Sequence, residues 1–281
     1  MINGIKNSNK QPLINPAFSK VGNFNSVGIA VKEAETLRAK QLPDNATLTR
    51  KFLSNYILTS QSDYEFARLM PHLETVTLAS GEELHSSGER NHYVYFPETA
   101  VVSNLFTLMD GSTIEVAMIG REGVTDLSEI FGSQPSAHWA QVAIGGTALR
   151  VKTEILKQEF NRGGRIQILL LDYVNSHIAQ ISQRVVCKSF HTIEKRLCSW
   201  LLMLHDRVRK NQLTLTQEQI SLFLGVHRPT VTLVAQTLRE KGLIDYMRGR
   251  VHILDRRGLE NSACECYSVV QINLFSSAAV N

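Results

Sequence analysis

Apolar positions recur along this chain with more than one period, and each change of period marks a boundary. From residue 1 to about 45 no period is sustained. That stretch is polar, rich in Asn, Ser and Lys, and reads as a mobile tail with one short helix at "VKEAETLRAKQL". From Leu48 to Met70 the spacing becomes helical. "LTRKFLSNYI" and "SDYEFARLM" predict two short amphipathic helices, with Ser62 placed to cap the second. Between Leu73 and Val151, short runs rich in Val, Ile, Thr, Tyr and Phe alternate with Gly, Asn, Asp and Ser. This predicts closely spaced strands of a barrel or sandwich. "MDGS", residues 109–112, predicts a hairpin turn, because Asp-Gly accommodates positive φ.

The helical period returns at Arg165 and runs on to residue 190. Ile166, Leu170, Tyr173, His177, Ile181 and Val185 fall three and four apart, along one side of a long helix. That side either packs on the chain's own β-rich part or pairs with a second copy as a short coiled coil. A second helix, "HTIEKRLCSWLLMLHDRV", points Leu197, Trp200, Leu201 and Leu204 inward. The stretch "QEQISLFLGVHRPTVTLVAQTLREKGLI", residues 217–244, then holds two helical runs around one glycine. "IDYMRGRVHILD" follows as strand, turn and strand. The remainder of the chain reads as one helical turn and a loose end.

The paired helices have the form of a helix-turn-helix. Such a turn needs a residue tolerant of positive φ, which Gly225 supplies. Ile220, Leu224, Val226, Val231, Val234 and Leu238 fall where a small shared core requires them. Pro229 is tolerable only in a first helical turn, so the second helix starts near Arg228. Its other face carries Arg228, Pro229, Thr230, Thr232, Leu233 and Gln236, with Gln217 and His227 at its flanks. These are the candidate residues for reading a major groove. Arg228 suits a guanine edge or a phosphate, and Thr232 and Leu233 suit a thymine methyl. Arg248 and Arg250 flank Gly249 at the tip of the following hairpin, a wing placed for backbone contact.

Charge sharpens this picture. The net charge is only +4, yet residues 191–260 hold twelve Lys and Arg against seven Asp and Glu, a local +5. That excess suits a phosphate-binding surface. The 43 % apolar content is ordinary for a globular chain of 281 residues. No apolar run is long enough for a membrane span, and no signal-peptide stretch opens the chain, so a cytoplasmic protein is expected. The four cysteines, Cys187, Cys198, Cys264 and Cys266, suit reduced thiols. "CEC" at 264–266 is read as free thiols, with redox activity or metal binding shared with a partner chain as the alternatives.

With "TQEQISLFLGVHRPTVTLVAQTLREKGLI" and the wing "YMRGRVHILDRRGLE", the chain resembles the Crp/Fnr family of bacterial transcription regulators from about residue 48 to 262. The resemblance implies an α+β fold: an N-terminal β-roll (a double-stranded β-helix like the cyclic-nucleotide-binding domain), a long dimerisation helix and a C-terminal winged helix-turn-helix. Gly81 and Gly88 resemble the family's glycine-spaced early turns. The expected divisions are a tail over 1–45, a sensor over 46–164, the dimerisation helix over 165–190, the DNA-binding domain over 191–262 and a C-terminal tail over 263–281. The stripe from Ile166 to Val185 becomes the expected dimer face. The expected partners are double-stranded DNA with a two-fold operator, a second copy of the chain and RNA polymerase. No membrane, cofactor, metal or catalytic residue is assigned.

The departures from the family pattern concern the effector. The Gly-Glu-Leu and Arg-Ser-Ala segments that hold a cyclic nucleotide are missing, and "PSA", residues 135–137, stands where the second would be. Pro135 offers neither charge nor N–H to a phosphate. A cyclic nucleotide is therefore not expected to bind in the usual way, and the effector is unassigned. No cysteine precedes Cys187, so the N-terminal iron–sulfur sensor of other members is not expected. His72, His85, His92 and His138 are the histidines available for haem, which is not assigned. Pro229 and Leu233 replace groove-reading residues of the cyclic-AMP type, so a different operator is expected. Two other readings are a cupin-like metal enzyme, disfavoured because no His-x-His occurs, and a constitutive regulator without a ligand.

Overall fold

The computed structural model describes residues 50–132 and 135–275. The expected tail and its short helix lie outside them. The described chain begins with α1 (Tyr56–Thr59), capped by Asn55, and α2 (Asp63–Leu69). Ser62 caps α2 as its sequence predicts. Its side chain accepts from Glu65 N while the Glu65 carboxylate returns to the Ser62 backbone, satisfying two donors at once.

Seven antiparallel strands build the β-rich domain: β1 (Glu74–Leu78), β2 (Glu83–His85), β3 (Tyr93–Pro97), β4 (Val101–Thr107), β5 (Thr113–Ile119), β6 (Trp139–Ile144) and β7 (Gly146–Lys152). They form two sheets, ordered β1-β7-β3 and β2-β6-β4-β5. The β4–β5 hairpin turns where expected. Leu108 and Ser112 close it with a 2.8 Å bond, and Gly111 takes φ +84°. Gly81 and Gly88 also adopt positive φ, as turn positions require.

Short α3 (Ser128–Phe131) and α4 (Thr153–Asn161) lead to α5 (Arg165–Phe190), the long helix, whose bounds coincide with the expected ones. Its apolar faces are used differently from the expectation. Ile166, Leu170 and Tyr173 are buried inside the chain, in one core with Phe66, Val94, Val124 and Val151. His177 and Ile181 are half-buried. Of the six expected dimer residues only Val185 is exposed. A second stripe, Ile168, Leu171, Ile178 and Val185, faces outward instead.

After α5 come α6 (Ile193–Val208), β8 (Gln212–Thr214), α7 (Gln217–Leu224), α8 (Arg228–Glu240), β9 (Ile244–Met247), β10 (Arg250–Ile253) and α9 (Arg256–Ser262). Strands β8, β10 and β9 form the wing sheet. Beyond it the chain differs from the expected loose end, because α10 (Cys266–Phe275) packs on α5 and α6. Tyr267 and Val270 fix it there, both inside the same core as Trp200 and Leu204. That core also takes in Val101, Leu105, Met118 and Ala143 from the β-rich domain. One apolar interior therefore runs from the strands into the helix-turn-helix.

Candidate nucleic-acid interface

The local sequence sets the reading helix in position. Thr216 and Gln219 form a capping box that starts α7. Gly225 ends it in the left-handed region at φ +63°. Arg228 is the first residue of α8, with His227 as N-cap and Pro229 in the first turn, where its missing N–H costs no intrahelical bond. Val231, Ala235 and Leu238 are buried below α8, while Val226 and Val234 are half-buried. Sequence spacing put Val234 at the centre of the stripe. Ala235 takes that place, and Phe223, not singled out from sequence, fills the space beneath Trp200 at 5.4 Å between rings.

The opposite face of α8 is left to solvent. His227, Arg228, Pro229, Thr232, Leu233 and Gln236 are exposed, and Gln217 and Thr230 are half-buried at the edges. Leu233 is 66 % exposed, a large apolar side chain with no interior role. Arg228 lies 3.7 Å from Glu218, and Gln236 donates to Glu240 at 2.9 Å. Both contacts are at the surface and weak enough to exchange for a ligand. A groove of about 490 Å³ runs beside Gln217, Thr232, Gln236 and Arg239. The wing turns through Arg248 and Gly249, both at positive φ (49° and 76°), which matches the twist of its two strands. Arg248 and Arg250 are exposed there. All ten candidate DNA-contact residues thus lie on α7, α8 or the wing.

Behind this face, two buried carboxylates join the β-rich domain to the helices. Glu115 on β5 is fully buried and receives Arg184 of α5, Ser103 of β4 and Trp200 Nε1 of α6, the last at 3.1 Å. Lys188 donates to the Glu115 carbonyl at 2.8 Å, and burial beside Arg184 pushes its ammonium down to about 7. Arg207 of α6 donates to Glu122 at 2.8 Å, both side chains almost without solvent. Ile114 of β5 meets the helix-turn-helix itself. A Cβ placed on Gly225 would lie 2.6 Å from Ile114 Cδ1, so any side chain at this turn would have to displace Ile114 on the strand. Gln219 reaches Ser80 at 3.1 Å nearby. Sequence gave no sign of these junctions, since each joins residues far apart in the chain.

A cavity of about 160 Å³ lies between the β-rich domain and α5, lined among others by Asn104, Asp126, His138, Tyr173 and His177. No lysine or arginine lines it among the described residues. Burial lowers the pKa of His85 and His138, and takes His177 down to about 4, with His138 and Arg207 adding to the shift. The histidines are therefore neutral at physiological pH. Arg121, the nearest arginine in sequence, points away and donates to the Asp206 carbonyl.

Residues 195–262 match the family model described as the Crp-like helix-turn-helix domain. No curated protein matches the chain by sequence. Among solved structures, FixK2 from Bradyrhizobium japonicum is similar with a TM-score of 0.58 at 18 % identity, covering 68 % of this chain and 98 % of that one. A Crp/Fnr-family transcriptional regulator from Eubacterium rectale gives 0.57 at 18 %, covering 74 % and 98 %. The c-di-GMP-responsive regulator CLP of Xanthomonas campestris gives 0.54 at 14 %, covering 69 % and 100 %. These likenesses show the fold: the β-rich domain, long helix and helix-turn-helix are arranged as in those proteins.

Proposed function

We propose that this chain is a transcription regulator of the Crp/Fnr type, a homodimer that binds a two-fold DNA operator through α8 of its Crp-like helix-turn-helix domain and works in the cytoplasm. The observation that carries this is the face from Arg228 to Gln236, which is exposed and contributes nothing to the core. Arg228 meets a guanine edge at the helix start, Thr232 and Leu233 meet a thymine methyl, and Gln236 a base or the backbone. Thr230 and Pro229 bring the first turn close to the sugar-phosphate chain, and His227 and Gln217 border it. Arg248 and Arg250 hold phosphates beside the groove. The protein acts by binding, without a catalytic step, and RNA polymerase is its further partner.

Two copies pair along α5, through its outward stripe. Ile168, Leu171, Asn175, Ile178, Ser182 and Val185 alternate three and four apart, the seam of a two-stranded coiled coil. Asn175 in that seam would fix a parallel register, as a single buried amide does in such dimers. The effector is not a cyclic nucleotide bound in the usual way. Its phosphate would find no lysine or arginine among the residues that line the cavity between the β-rich domain and α5.

The test begins with selection of DNA sites from a random pool. Arg228→Ala should weaken binding to the selected site by about 1–3 kcal/mol while leaving random DNA little affected. Arg250→Ala should weaken both alike and reduce the salt slope by about one. An unchanged ratio of selected to random binding in Arg228→Ala removes that residue from the reading face. Added cyclic AMP should leave the melting temperature unmoved, and a clear rise would show a nucleotide site in the cavity.

A further inference from the structure

We propose that Cys187, His191, Cys264 and Cys266 form a Cys3His site for one thiophilic divalent cation of the zinc class, which pins α10 across the corner between α5 and α6. The "CEC" pair was read from sequence as free thiols, or as half of a site shared with a partner chain. The structure completes it within one chain. Cys187 lies in the last turn of α5, and His191 is the residue that ends that helix. Cys264 precedes α10, and Cys266 opens it. The four ligand atoms all lie within 4.8 Å of one another.

The geometry fits a single tetrahedral ion. A zinc–sulfur bond of about 2.3 Å sets ligand atoms roughly 3.5–3.8 Å apart around the metal. Cys187 Sγ and Cys264 Sγ are 3.5 Å apart, and Cys266 Sγ is 3.4 Å from His191 Nδ1. An iron–sulfur cluster spreads its thiolates around several irons and sulfides, which needs wider spacing. A Cys187–Cys264 disulfide would use two of the four and leave Cys266 and His191 unexplained.

The surrounding groups support the ligands as a metal site requires. His191 Nε2 faces the Glu265 carboxylate at 3.4 Å, which leaves Nδ1 free to coordinate. This is the carboxylate–histidine pairing that fixes the tautomer of a metal-bound imidazole. Ser199 Oγ lies 3.1 Å from Cys264 Sγ, and Gln183 Nε2 donates to Cys266 Sγ at 3.0 Å. The three cysteines are buried, and Arg184 and Arg196 line a small cavity beside Cys187 and Cys266. The Arg196 guanidinium partly offsets the single negative charge that three thiolates carry beyond a dication. Four nitrogen and sulfur ligands with no open position describe a structural site, not a catalytic one. Cys198 is buried too, but stands outside the cluster.

The experiment uses the full chain, purified under reducing conditions, with its metal content measured. Cobalt(II) is then added to chelator-treated protein. One zinc per chain is expected, together with the intense visible bands of tetrahedral cobalt–thiolate. Zinc alone should raise the melting temperature of the chelator-treated protein. Cys266→Ser and His191→Ala should lose the cobalt bands and the zinc-dependent rise, whereas Cys198→Ser should keep both. Circular dichroism identifies any variant that fails to fold, and a folded variant at either ligand position suffices. The proposal is overturned by reduced wild-type protein without cobalt–thiolate bands, by zinc stabilisation that survives in Cys266→Ser, by iron with acid-labile sulfide, or by a Cys187–Cys264 disulfide in the purified chain.

Discussion

Arg207 and Glu122 are paired at 2.8 Å with almost no solvent, and the second oxygen of Glu122 has no partner. Removing one member of such a pair strands the other as an unpaired buried charge, at about 3–5 kcal/mol. Replacing both with apolar groups of similar size costs far less. Arg207→Met alone should therefore lower the unfolding free energy by that amount, and adding Glu122→Leu should recover most of it. Urea titration of the single and double variants reads this directly, and equal losses in both would show that the pair has no such coupling.

His177 makes a second residue-level prediction. Its pKa falls from 6.5 unfolded to about 4 in the folded chain, through burial, His138 and Arg207. Between those values the unfolded chain binds a proton that the folded chain refuses. Its stabilising effect is therefore whole above 6.5 and is lost as pH falls towards 4. From about pH 7 to about pH 5 that loss is on the order of 1–2 kcal/mol, and His177→Gln should flatten it. Urea midpoints at the two pH values measure the difference, and an equal pH slope in the variant refutes the assignment.

Among the elements, α5 shows what a periodic pattern conceals. It carries two apolar stripes with the same three-and-four spacing, and spacing alone does not say which one faces inward. Ile166, Leu170 and Tyr173 face inward because the strands bring Val94, Val124 and Val151 against them, a consequence of topology that no window of sequence contains. The stripe of Ile168, Leu171, Ile178 and Val185 is left exposed, where the proposed partner helix would pack. Ile178→Asp should therefore give monomers in sedimentation and weaken operator binding, whereas a dimer unchanged in mass excludes this seam. The helix-turn-helix was far more legible, because Gly225, Pro229 and the capping residues act within a few positions of themselves. The Cys187 cluster was half legible. Cys187 and His191 lie one helical turn apart and Cys264 and Cys266 two residues apart, but only the fold brings the two pairs together.

Across the whole molecule, the continuous core from Leu105 and Met118 to Trp200, Leu224 and Leu259 couples the strands to the reading domain. Parts that share an interior should unfold together. The two tryptophans lie on different elements, Trp139 on β6 and Trp200 on α6, where the Trp200 indole meets Glu115 of β5. Trp139→Phe leaves one probe, Trp200, in the DNA-binding half. Its fluorescence transition in urea should coincide with far-ultraviolet circular dichroism of the whole chain, and two separated transitions would show independent domains.

The contact between Ile114 and Gly225 also bears on how such proteins are recombined. A chimera that joins a foreign β-roll to residues 191–262 severs the chain at a tidy joint, yet leaves the glycine turn facing whatever strand the donor supplies. A bulkier side chain there collides, and a smaller one leaves a gap. The unit that transplants cleanly is thus the reading module with its β4–β5 hairpin, two pieces distant in sequence, which a single crossover in the gene cannot move together.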